Sequence, residues 1–256
     1  MTHVQPLLVA CSALATFLAL WPSPAAAQPE SYRGMWSLTF EGGADGLTGG
    51  TVHRAGSGEL DGVPIRIERR GFPELYDHGW RFGVGVGYGV TDRLEVIAKL
   101  SRGGVNGQNE PVGTVNGFSI LAHFDDYRDV ALEGGLRYHF STGVPFEPHV
   151  NLVAGLRRAG AMSADLTTWS ADPGAETPAF RNVPFFDASV VPSAGADFGL
   201  SYYVGPRIAL GAEIGIRYQG GLRDIDTGLA PFGLETINDA GTRWSIPFVA
   251  GVRLHF

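Results

Sequence analysis

Apolar residues alternate with small or polar ones along eight segments of the chain, and this period of two limits the possible folds more than any other feature. Residues 79–90 show it most plainly, because glycine or arginine occupies every second position. Side chains two residues apart lie on the same face of a strand, so each segment has one apolar face. The sequence therefore predicts eight strands, at residues 33–42, 79–90, 93–102, 129–141, 149–158, 193–204, 208–219 and 243–256.

The 37 glycines of the chain indicate what these apolar faces contact. In a soluble β-sandwich the apolar face is the core, and glycine on the opposite face would only weaken the strand. In a small closed barrel the apolar face meets lipid, and the interior of eight strands has little room beyond small side chains. We therefore expect an all-β fold, an eight-stranded antiparallel up-and-down transmembrane β-barrel.

The lengths of the strands and of their connections agree with this fold. A strand of about 11 residues, at ~3.3 Å per residue and a tilt of ~40°, rises ~28 Å, close to the ~25 Å apolar band of an outer membrane. The short connections are 91–92, 142–148 and 205–206, and the long ones are 43–78, 103–128, 159–192 and 220–242. This alternation predicts three short periplasmic turns and four long extracellular loops, with both termini in the periplasm.

A ten-stranded barrel is the alternative. Residues 63–70 could form a hairpin, and residues 117–124 could supply a further strand. That arrangement would place the link 91–92 on the outer side and the long link 103–116 in the periplasm, so the eight-stranded fold is preferred.

Residues 1–27 contain no Asp, Glu, Lys or Arg, and they include an apolar run from residue 7 to residue 21. The run is shorter than the ~20 residues that a membrane helix needs, and Ala25 and Ala27 form an A-x-A cleavage site. We expect residues 1–27 to be a signal peptide and residues 28–256 to be the barrel domain. A lipoprotein signal at Cys11 is the less favoured reading. Because Cys11 is the one cysteine of the chain, no disulfide and no thiolate metal site is expected after cleavage.

Charged residues of the predicted strands fall mainly on the inward faces. With a net charge of −7, the chain lacks the basic excess of a nucleic-acid-binding protein, so no nucleic acid is expected as a partner. Five acids and six bases inside a narrow lumen should form ion pairs that fill it, because unpaired buried charge is costly. The alternative is a narrow channel for ions or small solutes. The predicted lumen residues are Glu41, Arg81, Glu95, Lys99, Glu133, Arg137, Arg157, Asp197, Glu213, Arg217 and Arg253.

Three short motifs carry a resemblance to a known family. They are the strand motif at 85–88 (GVGY), the strand end at 137–140 (RYHF) with its Pro-rich turn at 144–148, and the terminal GVRLHF at 251–256. With the leader and the strand count, these make the chain resemble the small eight-stranded outer-membrane barrels of Gram-negative bacteria, the OmpA-like and OmpX-like group.

The resemblance implies an outer-membrane location and a structural or surface-interaction role without enzymatic activity or cofactor. It also implies recognition by the barrel-assembly machinery through the C-terminal strand, where Gly251, Leu254 and Phe256 match the assembly signal. Outer-membrane lipid and lipopolysaccharide are the expected partners, and the expected state is a monomer.

One set of residues could carry chemistry. His139 and Ser141 form an H-x-S motif, Glu133 has the same parity, and His149 opens the next strand. The set resembles the His/Ser/Glu residues of eight-stranded lipid A deacylases, in which the histidine would be the base and the serine the nucleophile. The pair falls at the periplasmic end, however, whereas that family acts on outer-leaflet lipid. A hydrolase is therefore kept only as an alternative function, and no catalytic residue is predicted.

The long loops are acidic. Residues 224–228 (DIDTG) place carboxylate oxygens that divalent cations could use, but the spacing does not select a metal. No metal site is predicted.

Overall fold

The computed structural model describes residues 29–60, 62–168, 177–225, 229–230, 233–239 and 241–256. The predicted signal peptide, residues 1–27, lies outside these ranges. A short helix, α1, spans Phe72–Leu75. In chain order the strands are β1 (Trp36–Gly49), β2 (Thr51–His53), β3 (Gly56–Leu60), β4 (Val63–Ile67), β5 (Arg70–Gly71), β6 (Gly79–Gly89), β7 (Leu94–Val105), β8 (Asn109–Val115), β9 (Phe118–Phe124), β10 (Tyr127–His139), β11 (Phe146–Ala159), β12 (Met162–Thr168), β13 (Thr177–Asp187), β14 (Ser189–Gly205), β15 (Ile208–Gln219), β16 (Arg223–Asp224) and β17 (Arg243–His255).

Eight of these strands close into one barrel. The order around it is β1-β17-β15-β14-β11-β10-β7-β6, and every neighbouring pair is antiparallel. Each strand pairs with its neighbours along the chain, and β1 completes the ring between β6 and β17. The predicted eight-stranded up-and-down barrel is confirmed.

The ten-stranded alternative is wrong. Residues 63–67 and 118–124 do form strands, β4 and β9, but neither pairs with a barrel strand. They lie in a second sheet: β4 pairs with β3 of its own connection and with β8, and β9 pairs with β8 of its own connection and with β12.

Side chains along the barrel strands alternate between a buried inner face and an exposed outer face. On β6, Arg81 is 6% exposed, and the next residue, Phe82, is 62% exposed. Leu132 on β10 is likewise 63% exposed. A belt of large apolar side chains thus faces outward with no protein layer against it, which is the arrangement of a barrel that spans a lipid bilayer.

Several inward glycines are required by close packing. A Cβ on Gly87 would overlap the carboxylate of Glu95, and a Cβ on Gly199 would overlap the ring of His149. Glycine at these positions lets the long polar side chain of the neighbouring strand cross the narrow lumen.

Five of the eight barrel strands extend beyond their predicted limits at the end that carries the long connections. β1 continues to Gly49 rather than ending at 42, and β14 begins at Ser189 rather than at 193. The apolar alternation stops where the apolar belt stops, whereas the backbone N–H and C=O groups continue to pair beyond it. The sequence pattern therefore marked the membrane-facing part of each strand and not its whole length.

The four long connections fold together over one end of the barrel. They form a seven-stranded sheet in the order β16-β13-β12-β9-β8-β4-β3, to which every long connection contributes at least one strand. We call the described residues of 50–78, 106–126, 160–188 and 220–242 the cap. The three short connections, 90–93, 140–145 and 206–207, lie at the opposite end, as predicted.

The cap has a hydrophobic core of its own. It includes Ile65 and Ile67 of β4, Ile120 of β9 and Phe185 of β13, and it continues down to Tyr127 at the start of β10. In the part of the chain that the structure describes, no helix has the length and apolar character needed to cross a bilayer.

Candidate functional site

The structure places all eleven predicted lumen residues inside the barrel, and each of them makes at least one ion pair. Glu213 is the centre of the lower group, towards the short turns. Its carboxylate lies 2.9 Å from Nζ of Lys99, 3.0 Å from Nη2 of Arg137 and 3.5 Å from Nη2 of Arg253. Lys99 also lies 2.9 Å from Oε2 of Glu41. Five barrel strands, β1, β7, β10, β15 and β17, are therefore joined through the lumen.

An upper group of ion pairs lies towards the cap. Nη1 of Arg217 lies 2.5 Å from Oδ1 of Asp197, and its Nε lies 3.5 Å from Oε2 of Glu133. Nη1 of Arg157 lies 2.6 Å from Oδ1 of Asp129, and its Nη2 lies 3.8 Å from Oε1 of Glu133. Arg81 pairs with the carboxylate of Asp45. The two groups together fill the barrel along its length.

Sequence reasoning missed four charged lumen residues. Asp129 lies four residues before Glu133 on the same strand, so the alternation along that strand predicts that both side chains face inward. Asp45 and Glu147 have the inward parity of their strands but lie beyond the predicted limits, 42 and 149, where the alternation fades. The fourth is Arg243, which is fully buried under the cap.

Arg243 has an unusual environment for a charged side chain. Its guanidinium carbon lies 5.2 Å from the ring centre of Phe72 and 4.7 Å from that of Tyr127. Among the described residues, its three side-chain nitrogens have no hydrogen-bond partner. The aromatic rings therefore provide its main favourable contacts, as cation–π interactions.

Tyr32, from the segment before β1, occupies the short-turn end of the lumen. Its ring stacks on that of His139 with 3.8 Å between the ring centres, and its hydroxyl donates to Glu147 at 2.6 Å. Tyr203 donates to the same carboxylate at 3.3 Å, and Nδ1 of His139 lies 2.7 Å from it. No sequence pattern pointed to Tyr32, because it precedes the strand and takes its position from tertiary packing alone.

The predicted His139, Ser141 and Glu133 set is not assembled. β10 ends at His139, so the parity argument does not extend to Ser141, which lies exposed in the following turn. Glu133 is six residues up the strand, about 20 Å away, where it accepts a hydrogen bond from Ser193.

The acidic neighbours of His139 are instead Glu147 and, at 3.4 Å, Glu95. His149, which opened the next predicted strand, lies 3.0 Å from Glu213 through Nε2. Both histidines belong to the polar network of the lower lumen. Among the described residues, Ser201 is the serine that reaches one of these rings, with its hydroxyl oxygen 3.4 Å from Nδ1 of His149.

The predicted assembly-signal residues lie at the seam where the barrel closes. Phe256 exchanges backbone hydrogen bonds with Trp36, at 2.9 and 3.3 Å, and its own side chain is exposed. Leu254 lies opposite Leu38 of β1, and a Cβ on Gly251 would overlap a backbone carbonyl of that strand.

The cap contains an apolar cavity of about 90 Å³. Its walls are side chains of β4, β8, β9, β12 and β13, with Leu229, Leu234 and Ile237 on the other side. Among the described wall residues, His53 of β2 is the one with a polar ring. Burial lowers the pKa of His53 to about 4, so the ring is neutral at pH 7.

The acidic segment 224–228 is described only in part. Asp224 belongs to β16 and is exposed, whereas residues 226–228 lie outside the described ranges. Within those ranges, no group of three His, Cys, Asp or Glu residues has an arrangement that could hold a metal ion.

The chain is similar in fold to several solved structures. Neisserial surface protein A is 16% identical, with 87% of this chain and 97% of that chain covered and a TM-score of 0.45. Outer membrane protein OprG from Pseudomonas aeruginosa is 15% identical, with 88% and 97% covered and a TM-score of 0.42. The outer membrane protease OmpT from Escherichia coli is 10% identical, with 88% and 97% covered and a TM-score of 0.37.

No protein-family model and no curated protein matches the chain. Its assignment as a closed eight-stranded transmembrane β-barrel rests on its own strand pairing and on its outward apolar belt.

Proposed function

We propose that this protein is an outer-membrane anchor that carries a folded cap on the cell surface, and that the cap performs the surface interaction. The observation that carries the proposal is the division of the molecule into two parts. The barrel lumen is filled by ion pairs, and the long connections form a sheet with its own hydrophobic core. Loops that only linked strands would not need such a core.

The aromatic side chains support the membrane position of the barrel. Trp36 and Tyr88 pack together outside the short-turn end, with 5.0 Å between ring centres. Tyr218 and Trp244 form a corresponding pair towards the cap, at 5.2 Å. Aromatic girdles at both edges of an apolar belt are typical of outer-membrane barrels.

The proposed orientation in the membrane is the one typical of outer-membrane barrels, in which the long connections are extracellular and the short turns are periplasmic. Contacts with lipopolysaccharide, insertion by the barrel-assembly machinery and a monomeric state belong to this proposal. Hydrolysis does not, because Ser141 is exposed in the connection after β10, whereas His139 is buried and its ring contacts Glu147 and Glu95.

Labelling of intact cells tests the proposal. Cys11, the one cysteine of the chain, lies in the predicted signal peptide, so a single substitution after residue 28 should give the mature protein a unique thiol. Ser57→Cys places it on the exposed face of the cap and Ser141→Cys in a short turn. A membrane-impermeant maleimide should label only Ser57→Cys in intact cells and both variants after lysis. Labelling of Ser141→Cys alone, or recovery of the protein in the soluble fraction, would overturn the proposal.

A further inference from the structure

Charge is distributed very unevenly over the outward face of the barrel. The structure describes every residue of the eight barrel strands, and the acidic side chains of these strands all face the lumen. Among their basic side chains, three face outward instead: Arg102 of β7, Arg128 of β10 and Arg158 of β11. The outward face of these strands therefore carries three positive charges and no negative charge.

The three arginines, which we call the arginine patch, lie on neighbouring strands. Arg102 and Arg158 are the register partners of Val130 on its two sides, and Arg128 precedes Val130 by two residues in the direction of the cap. Neighbouring strands are about 4.8 Å apart, and diagonal neighbours are about 7–8 Å apart. Each of the three backbone positions is therefore within about 10 Å of the other two, so their long side chains can reach one common group.

The arginine patch lies at the cap-side edge of the apolar belt. Leu100 and Leu156, each two residues nearer the short-turn end, are 50% and 59% exposed. Gly104 is the register partner of both Trp80 and Arg128, and a Cβ on this glycine would lie 3.2 Å from the indole ring. Tryptophan is enriched at the level of the lipid headgroups. The guanidinium groups therefore stand where hydrocarbon gives way to headgroups.

The protein neutralises little of this positive charge. Nη2 of Arg128 lies 3.7 Å from Oδ2 of Asp126, whereas the described residues provide no ion-pair partner for Arg102 or Arg158. The pair of Arg128 is exposed on both sides, so it contributes little. Like charges at this separation repel each other, and arginine on the lipid-facing side of a barrel contributes nothing favourable through contact with hydrocarbon. An external anion would give all three arginines a partner.

We propose that the arginine patch binds a phosphate of an outer-leaflet lipid, whose acyl chains lie along the apolar belt beside it. The guanidinium group matches phosphate oxygens through paired hydrogen bonds. A lipid is favoured over free phosphate because the exposed Phe82 and Leu100 offer the same molecule a hydrocarbon surface. The inference rests on the proposed function, since an extracellular cap places the patch in the outer leaflet, which makes the ligand lipopolysaccharide and the bound group a phosphate of its lipid A.

The test measures lipid binding to the mature chain, residues 28–256, in a neutral detergent by native mass spectrometry. The probes are diphosphorylated lipid A and the same lipid after removal of both phosphates. One arginine near an anionic lipid surface contributes about fivefold in affinity. The wild-type chain should therefore bind the phosphorylated lipid about a hundredfold more tightly than the dephosphorylated one.

Variants of the patch locate the site. Arg102→Gln, Arg128→Gln and Arg158→Gln should each weaken the binding of diphosphorylated lipid A about fivefold, and the triple variant about a hundredfold. Binding of the dephosphorylated lipid should not change. Arg207→Gln removes an exposed arginine from a short connection at the opposite end of the barrel and should bind like the wild type. The three single variants decide the question if the triple variant does not fold.

Equal binding of the two lipids by the wild type, or unchanged binding of lipid A by folded patch variants, would overturn the proposal. Complete displacement of lipid A by excess inorganic phosphate would also overturn it, because the site would then have no preference for a lipid.

The labelling of Ser57→Cys in intact cells reports separately on the orientation of the protein. Phosphate-dependent binding at the patch without labelling from outside would support the lipid site and refute the proposed display of the cap. Labelling from outside without phosphate-dependent binding would refute the lipid site and leave the proposed function standing.

Discussion

Nζ of Lys99 lies 2.9 Å from Oε2 of Glu213, and the two residues stand on opposite walls of the barrel. β7, which carries Lys99, is four places from β15, which carries Glu213, in either direction around the eight-stranded ring. This ion pair therefore crosses the full width of the lumen. A solute path along the barrel would have to break it.

The first prediction concerns conduction. Because the Lys99–Glu213 pair and its neighbours bridge the lumen, the wild-type protein should give no discrete conductance steps in a planar lipid bilayer. Regular current steps whose conductance increases with salt concentration would show an open path through the lumen, and the protein would then be a narrow channel.

The second prediction concerns Lys99→Met. In the described chain, Glu41 pairs only with Lys99, so this substitution leaves Glu41 without an ion-pair partner. Glu213 keeps Arg137 and Arg253 as partners. Leaving a buried carboxylate without its partner should reduce the free energy of unfolding by about 3 kcal/mol. Urea unfolding in lipid vesicles, followed by tryptophan fluorescence, measures this loss.

The double variant Lys99→Met with Glu41→Gln is the control for that loss. It removes both charges, so it should regain a large part of the stability. Arg128→Ala removes one partner of an exposed pair with Asp126 and should leave the unfolding midpoint unchanged. A single variant as stable as the wild type would mean that Glu41 is solvated.

The third prediction compares two glycines. Gly87→Ala places a methyl group against the carboxylate of Glu95 and should cost about 1–3 kcal/mol through overpacking. Gly134→Ala lies on the lipid side, where the nearest atom to its Cβ would be 3.8 Å away, and should be tolerated. Equal unfolding midpoints for the two variants would contradict the crowded lumen.

The fourth prediction is that the cap loses stability as the pH falls from about 6.5 to about 4. Burial holds the pKa of His53 at about 4, below its ordinary value of 6.5, and the nearby Arg70 acts in the same direction, whereas Glu74 opposes it. Between these values the unfolded cap binds a proton that the folded cap does not, so protonation favours opening. The full stabilisation is present above pH 6.5, and the total loss is about 3 kcal/mol.

Hydrogen exchange at the amides of Arg54 and Asp239, which bond across the β2 edge, reports this opening once intrinsic exchange rates are subtracted. In His53→Leu the dependence on pH over this interval should disappear. The same slope in the variant would assign the effect to another group.

Much of the barrel could be predicted from particular residues. Trp80, Phe82 and Val84 alternate with glycine and arginine because the two faces of a strand meet two different environments, lipid and a narrow lumen. The same parity identified Glu213 and Lys99 as inward residues. Ser141 was misplaced because the parity was continued beyond His139, where the strand has ended.

By itself, the sequence determined the number of barrel strands, the faces that meet lipid and eleven of the charged residues that enter the lumen, because a period of two is a local property of each strand. Only the tertiary structure decided that Lys99 meets Glu213, that Tyr32 closes the lower end, and that the long connections join into a sheet around a cavity with His53. Those contacts join residues far apart in the chain, and they form because apolar and charged groups must find partners once the barrel has brought the strand ends together.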